Sequence, residues 1–156
     1  MHSRETIKMA IIYAAQGNES DSSIMGCVET SENYQIFLKQ LGWKIDLQTH
    51  PDFYGGLDKV WTSEALYYCS STIEVIFHDA TMMPNEESDV KFLKKIRHIG
   101  NDHVHIVWNE HYRDYRKVIS GDFGNVSIVI TPLPSNLFAI DILTTEKVFS
   151  ASLCHR

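Results

Sequence analysis

An α/β or α+β fold built on a mixed central sheet is what this sequence predicts, and three observations carry the expectation. Apolar, β-branched runs outnumber amphipathic helical segments. The helical segments recur between those runs instead of clustering at one end. No internal repeat, low-complexity tract or linker divides the 156 residues, a length that suits one domain with an ordinary hydrophobic core.

In order, residues 7–15 form a short apolar run ended by Gln16-Gly17-Asn18 and read as a buried strand. Residues 18–23 are polar and read as a surface loop. Ser31 is placed to cap a helix whose apolar positions, Tyr34, Phe37, Leu38 and Leu41, follow the spacing of one buried face. Gly42 supplies its stop, and residues 43–47 then alternate apolar with charged as a half-buried strand does. A loop follows, punctuated by His50-Pro51-Asp52 and by Gly55-Gly56, a pair that permits positive φ or close backbone approach.

Residues 67–71 predict a short strand and 73–78 a firmer one. Glu86, Glu87 and Asp89 followed by the cations of 91–97 match the charge preference of a helix dipole, with Val90, Leu93 and Ile96 as its apolar stripe. Strands are expected at 104–108, 125–131 and 137–143, the last two joined across 132–136 in a hairpin arrangement.

Composition narrows the function. A formal charge of -6 argues against general affinity for nucleic acid or anionic membrane. No stretch approaches the roughly 18 apolar residues of a membrane span, and the opening Met-His-Ser-Arg-Glu-Thr lacks the apolar core of a secretory signal. Cys27, Cys69 and Cys154 form an odd, unpatterned set, which fits a reducing setting, and the chain is expected to be cytoplasmic. Glycine-rich phosphate cradles, a nucleophile elbow and zinc-type cysteine pairs are absent from the sequence, so it is expected to bind neither nucleotide nor metal by itself. His98, His103, His105 and His111 are close in sequence but show no metal-ligand pattern. Glu110, His111, Arg113 and Asp114 read as a charged, solvated loop.

The stretch 94–108 is the most informative. Lys91, Lys94, Lys95, Arg97 and His98 crowd a helical run that stops at Gly100; Asn101 follows at once, and then an apolar β-type run. A solvated helix face and a capping asparagine are the plain readings. The sharper one is a basic docking surface beside a carboxamide held out on a rigid scaffold. A carboxamide can steer water but is neither base nor nucleophile, so on this reading a group placed this way usually completes another protein's active site.

Arg97-His98-Ile99-Gly100-Asn101-Asp102 before an apolar strand resembles the hallmark of the Rap/Ran-GAP family of GTPase activators. Phe37-Leu38-Lys39-Gln40-Leu41-Gly42-Trp43, Tyr54-Gly55-Gly56-Leu57-Asp58, Glu74-Val75-Ile76-Phe77-His78 and Met83-Pro84 follow the family's order, covering most of residues 7–143. Residues 104–111 and 113–116 are most similar to the catalytic alpha subunits of the Ral GTPase-activating complexes, and Ile96 stands where Rap-directed members carry lysine.

The resemblance implies an α/β fold, the Rap/Ran-GAP catalytic domain, over residues 1–149, with a divergent tail at 150–156 and a C-terminus shortened relative to the family. It implies an asparagine thumb at Asn101, a functional histidine at His98 and a basic position at Arg97 beside them, while the basic helical run itself makes Lys94, Lys95 and Arg97 the expected GTPase-docking residues. The implied partner is a Ras-superfamily GTPase, Ral-like in preference to Rap or Rheb, together with a beta-type regulatory subunit. GTP and magnesium would belong to that partner, and the chain would catalyse nothing alone. The alternative is a truncated module of this type that binds a GTPase or partner subunit without activating it.

Overall fold

The structure is a computed structural model that describes residues 4–111, 113, 115, 126–144 and 148–154, the last segment as backbone. Asp114, Arg116 and Asn125, which the sequence reading includes in a charged loop, a family segment and a strand start, lie outside the described residues, as do residues 155–156 of the tail.

Eight strands form one sheet in the order β2-β3-β4-β1-β5-β6-β7-β8. In chain order the elements are β1 (Glu5–Ala14), α1 (Asp21–Met25), α2 (Glu32–Leu41), β2 (Trp43–Asp46), β3 (Glu64–Cys69), β4 (Ile73–Asp79), α3 (Leu93–Gly100), β5 (Val104–Asn109), β6 (Val126–Leu133), β7 (Leu137–Thr144) and β8 (Val148–Cys154). The four middle strands, β4-β1-β5-β6, are parallel, and the pairs on either side are antiparallel. The sheet is therefore mixed, as expected.

Side chains alternate across β1, and the two faces pack differently. Ala10, Ile12 and Ala14 meet Ile24 and Met25 of α1 and Ile99 of α3. Ile11 and Tyr13 meet Tyr34 and Leu38 of α2, with Phe77, Ile106 and Trp108 beside them. Leu47, Leu57, Ala65, Tyr67, Ile76 and Met83 close a third cluster, which pins the 47–63 loop to β3 and β4.

Ser31 caps α2 by accepting the Tyr34 N–H at 3.1 Å, as its position predicts. Gly42 ends that helix for a different reason from the one expected. Its φ is -179°, which any residue adopts, but a Cβ there would sit 2.3 Å from the Tyr67 carbonyl oxygen of β3. Close strand approach demands the glycine.

Four expectations need correction. The loop at 18–23 contains the start of α1, whose Ser20–Ser23 capping box stabilises a helix too short for periodicity to reveal. The strand expected at 67–71 begins earlier, at Glu64. The segment 148–154, to which the sequence pattern assigns no element, pairs with β7 as β8. The helix expected from about residue 86 starts only at Leu93, after Phe92 adopts a left-handed φ of 53°. Asp89 caps it from upstream, one carboxylate oxygen accepting the Leu93 N–H at 2.8 Å and the other the Lys94 N–H at 2.9 Å. Val90 and Leu93 are consequently exposed, at 77% and 61%, and the core-facing positions are Ile96, Ile99 and the stem of Lys95. Among the described residues no helix is long and apolar enough to cross a membrane.

Candidate functional site

The last turn of α3 and the start of β5 border an open cavity of about 480 Å³. Its floor is the α3-facing side of the sheet, from which Lys8 of β1 and His78 of β4 project. The 47–63 loop makes the opposite wall with Gly55, Gly56, Asp58 and Trp61. Gly55 has φ +64°, and a Cβ on it would lie 2.2 Å from Ile76 Cγ2 and 2.9 Å from His78 Nε2. Only glycine fits there. Lys94, Arg97, His98 and Asn101 complete the rim from α3.

Asn101 is the C-cap of α3, with φ -88° and ψ -1°, and its backbone N–H bonds back to the His98 carbonyl at 3.3 Å. Its side chain is exposed and borders the cavity. The carboxamide makes no hydrogen bond to another described residue, so its acceptor and donors are available to a partner.

The next residue anchors this turn. Asp102 is fully buried, and its Oδ2 lies 2.7 Å from Nδ1 of the equally buried His78. Asp102 also donates its backbone N–H to Ile99 at 3.2 Å. The exposed amide thus follows a helix end and precedes a side chain tied to β4. His78 Nε2 and Asp102 Oδ1 are buried without hydrogen-bond partners among the described residues.

His98 is held on two sides. Its ring stacks on Trp61 at 5.8 Å between centroids, with planes 16° apart, and meets His78 edge-on at 5.5 Å. Burial, followed by the nearby His78, lowers its pKa below the usual histidine value, which favours the neutral ring.

The cations separate into two kinds. Arg97 and Lys94 are exposed on the cavity rim. Lys94 Nζ is shared with the Glu86 carboxylate at 2.8 and 2.7 Å and lies 5.8 Å from the Trp61 ring centroid. Lys95, grouped with them for docking on sequence grounds, points the other way. It is only 1% exposed, and its Nζ donates to the carbonyls of Met25 and Ala80 at 2.9 Å each. Lys95 ties α3 to α1 and the end of β4, and is corrected from docking residue to internal strut. Burial pushes its pKa down to about 8, opposed by the charge of Asp79.

The four histidines compared for metal binding do not converge among the described residues. His105 Nε2 contacts the Ile99 carbonyl at 2.9 Å, while His111 Nδ1 accepts the Gly17 N–H at 3.0 Å.

A family model described as Rap/ran-GAP matches residues 24–155. The chain belongs to the Rap/Ran-GAP family. It is 47% identical over 148 residues to the Ral GTPase-activating protein subunit alpha-2 of Mus musculus, covering 93% of this chain and 8% of that protein. The human Ral GTPase-activating protein subunit alpha-1 is 45% identical over 148 residues, 93% of this chain and 7% of that one. The tuberous sclerosis 2 protein homolog of Schizosaccharomyces pombe is 36% identical over 134 residues, 82% and 10% of the two chains. The chain therefore spans at most a tenth of the length of these relatives. Among solved structures the TSC2 GAP domain superposes with a TM-score of 0.87 at 28% identity, covering 94% of this chain and 87% of that one.

Within this Rap/Ran-GAP chain the separated family segments meet around one cavity. Tyr54-Gly55-Gly56-Leu57-Asp58 forms its loop wall, His78 ends the strand segment beneath it, and Arg97 to Asp102 forms its helical rim. Sequence reasoning named Asn101, His98, Arg97 and Lys94 here and missed Lys8, Trp61, His78 and Asp102. His78 carried a usable signal, being an imidazole at the end of an otherwise apolar strand run. Lys8 and Trp61 carried none, because only the folded sheet and loop bring them near α3.

Proposed function

We propose that this chain is a GTPase-activating domain whose Asn101 enters the nucleotide site of a Ras-superfamily GTPase and orients the attacking water. The observation that carries the reading is the placement of this amide: exposed, uncommitted, and seated between a helix end and the buried Asp102–His78 pair.

Small GTPases hydrolyse GTP slowly because their water is poorly held and charge on the phosphates is incompletely stabilised. An asparagine amide offers both an acceptor for a water proton and donors, so it can hold that water in line with the γ-phosphate. It brings no positive charge, and its benefit is therefore positional. GTP and magnesium are the partner's. His98 braces the turn that carries Asn101, since a mobile amide would forfeit the positional gain. Arg97 and Lys94, with Lys8 behind them, present positive charge at the cavity although the whole chain is net negative, which favours an acidic partner surface.

A Ral-like GTPase is the preferred partner, supported by the similarity to Ral GTPase-activating protein alpha subunits. A beta-type subunit completes the assembly, and the setting is cytoplasmic.

Single-turnover GTP hydrolysis with Ral, Rap and Rheb tests this. Stimulation should be largest with Ral, and Asn101→Ala should lower it by roughly a hundredfold or more while complex formation changes little. An unchanged rate in that variant overturns the thumb. Binding without stimulation by the parent chain, with or without a beta subunit, would make it a binding module.

A further inference from the structure

The loop that walls the cavity carries a second set of donors that the amide does not use. His50 and Asp52 of this loop and Glu74 of β4 each offer a ligand atom, and the three atoms lie within 4.8 Å of one another. Glu74 is 6% exposed, and its Oε1 accepts the Phe53 N–H at 2.9 Å and the Tyr67 hydroxyl at 2.6 Å. Both bonds fall on one oxygen and orient the carboxylate, leaving Oε2 for a ligand. Carboxylates that hold metals are commonly fixed in this way by outer hydrogen bonds.

His50 provides the second observation. Its backbone N–H is tied to the Asp46 carbonyl at 2.9 Å, and its ring packs edge-on against Tyr67 at 4.6 Å. Its Nε2 is nevertheless buried with no hydrogen-bond partner among the described residues. A ring nitrogen left this way costs free energy unless something coordinates it.

We infer that His50, Asp52 and Glu74 form a binding site for a zinc-type divalent cation, with water completing the coordination. One imidazole and two carboxylates suit zinc, which takes three protein ligands and an open fourth position. Calcium needs six to eight oxygens, and magnesium an octahedral oxygen shell, which three such side chains do not supply. Bonds of about 2.0–2.1 Å in a tetrahedron place donors about 3.3 Å apart, so the cluster must contract slightly. Asp52 lies on an exposed segment and can supply that movement.

The ion would fasten the 47–63 loop to β4. Gly55, Asp58 and Trp61 on that loop, and His78 on that strand, all border the cavity. The inference rests on the three donors alone and does not depend on GTPase activation.

The test titrates the chelator-stripped full chain with zinc ions against a chromogenic chelator, with magnesium as a control, and follows thermal melting. One equivalent of zinc should bind and raise the melting temperature, and magnesium should not. Asp52→Asn and His50→Gln should each weaken zinc binding at least about tenfold. Asp52→Asn is exposed and should leave the melting of the zinc-free protein unchanged, which separates lost binding from lost folding. Absence of stoichiometric zinc binding overturns the site. So does binding undiminished in both variants, which would place the ion on other histidines.

Discussion

The carboxyl ends of β1 and β5 and the amino end of β5 both gather polar side chains, and they use them in opposite ways. At the carboxyl ends, Glu110 accepts three hydrogen bonds, from Tyr13 at 2.6 Å, Ser31 at 2.5 Å and Trp108 Nε1 at 2.8 Å. Arg113 and Glu19 pair nearby at 2.8 Å. The same Ser31 caps α2, so this cluster joins a helix start to two strands. At the amino end of β5, Asn101 has no side-chain partner among the described residues, and His78 Nε2 and Asp102 Oδ1 are buried and unpaired. In open α/β sheets ligands usually bind beyond the carboxyl ends of the strands. Here a polar cluster does occupy that position, but its groups are committed to one another. Availability of hydrogen-bonding capacity, more than polar density, separates a candidate site from a structural clamp.

The sharpest break of this contrast after loss of the Asn101 amide is loss of its anchor. Asp102→Ala would leave His78 Nδ1 buried without its partner, and an unsatisfied buried polar group costs roughly 1–3 kcal/mol. For a domain of this size that is a fall in melting temperature of about 3–10 °C, measurable by calorimetry, with GTPase stimulation falling as well in whatever fraction stays folded. If stimulation per folded molecule is unchanged, the anchor does not position the amide.

Glu110→Gln tests the other end. The substitution keeps one acceptor oxygen and loses the other, so the Tyr13 hydroxyl must find a new partner. The expected cost is about 1–2 kcal/mol of stability by urea unfolding. Stimulated hydrolysis should stay at the parent rate, and a lost rate in a folded protein would mean that the carboxyl-end cluster is functional after all.

These two regions also show what a linear reading can reach. Ser31, the α2 stripe and most strands were legible because caps and periodicity are local. The amide at Asn101 was legible because Gly100 and the following apolar run mark its junction. Lys95 misled because charge is read from composition, whereas its direction is set by helix phase, and α3 begins seven residues later than its acidic prelude suggests. The Asp102–His78 pair spans 24 residues, and no short-range pattern announces it. Strand β8 carries a local period-two pattern, Phe149, Ala151 and Leu153 alternating with Ser150 and Ser152, but its pairing with β7 is announced by no such pattern.

His98 supplies a gentler probe. Its folded pKa lies below the ordinary histidine value, so the unfolded chain takes up the proton more readily. Its contribution to stability is therefore fully present above about pH 6.5 and is lost as pH falls through the lowered folded value. His98→Phe retains a ring against Trp61 and removes the titration. The difference between parent and variant in unfolding free energy, measured from pH 7.5 to 5, should shift against the parent on acidification. A difference independent of pH would show that the ring is not held neutral.

Lys94 gives the smallest effect and separates steering from positioning. Its pair with Glu86 is exposed, and such pairs contribute about 0–1 kcal/mol, so Lys94→Ala should barely move the melting temperature. Its charge, however, stands on the cavity rim, where an acidic partner would approach. Association measured by stopped flow should slow roughly two- to fivefold at low salt, and the difference should shrink as screening increases. Glu86→Ala removes the counter-charge and should act in the opposite direction. Turnover at saturating GTPase should be unchanged in both. A fall in saturated turnover for Lys94→Ala would instead place that ammonium at the nucleotide, because a purely steering charge ceases to matter once the complex has formed.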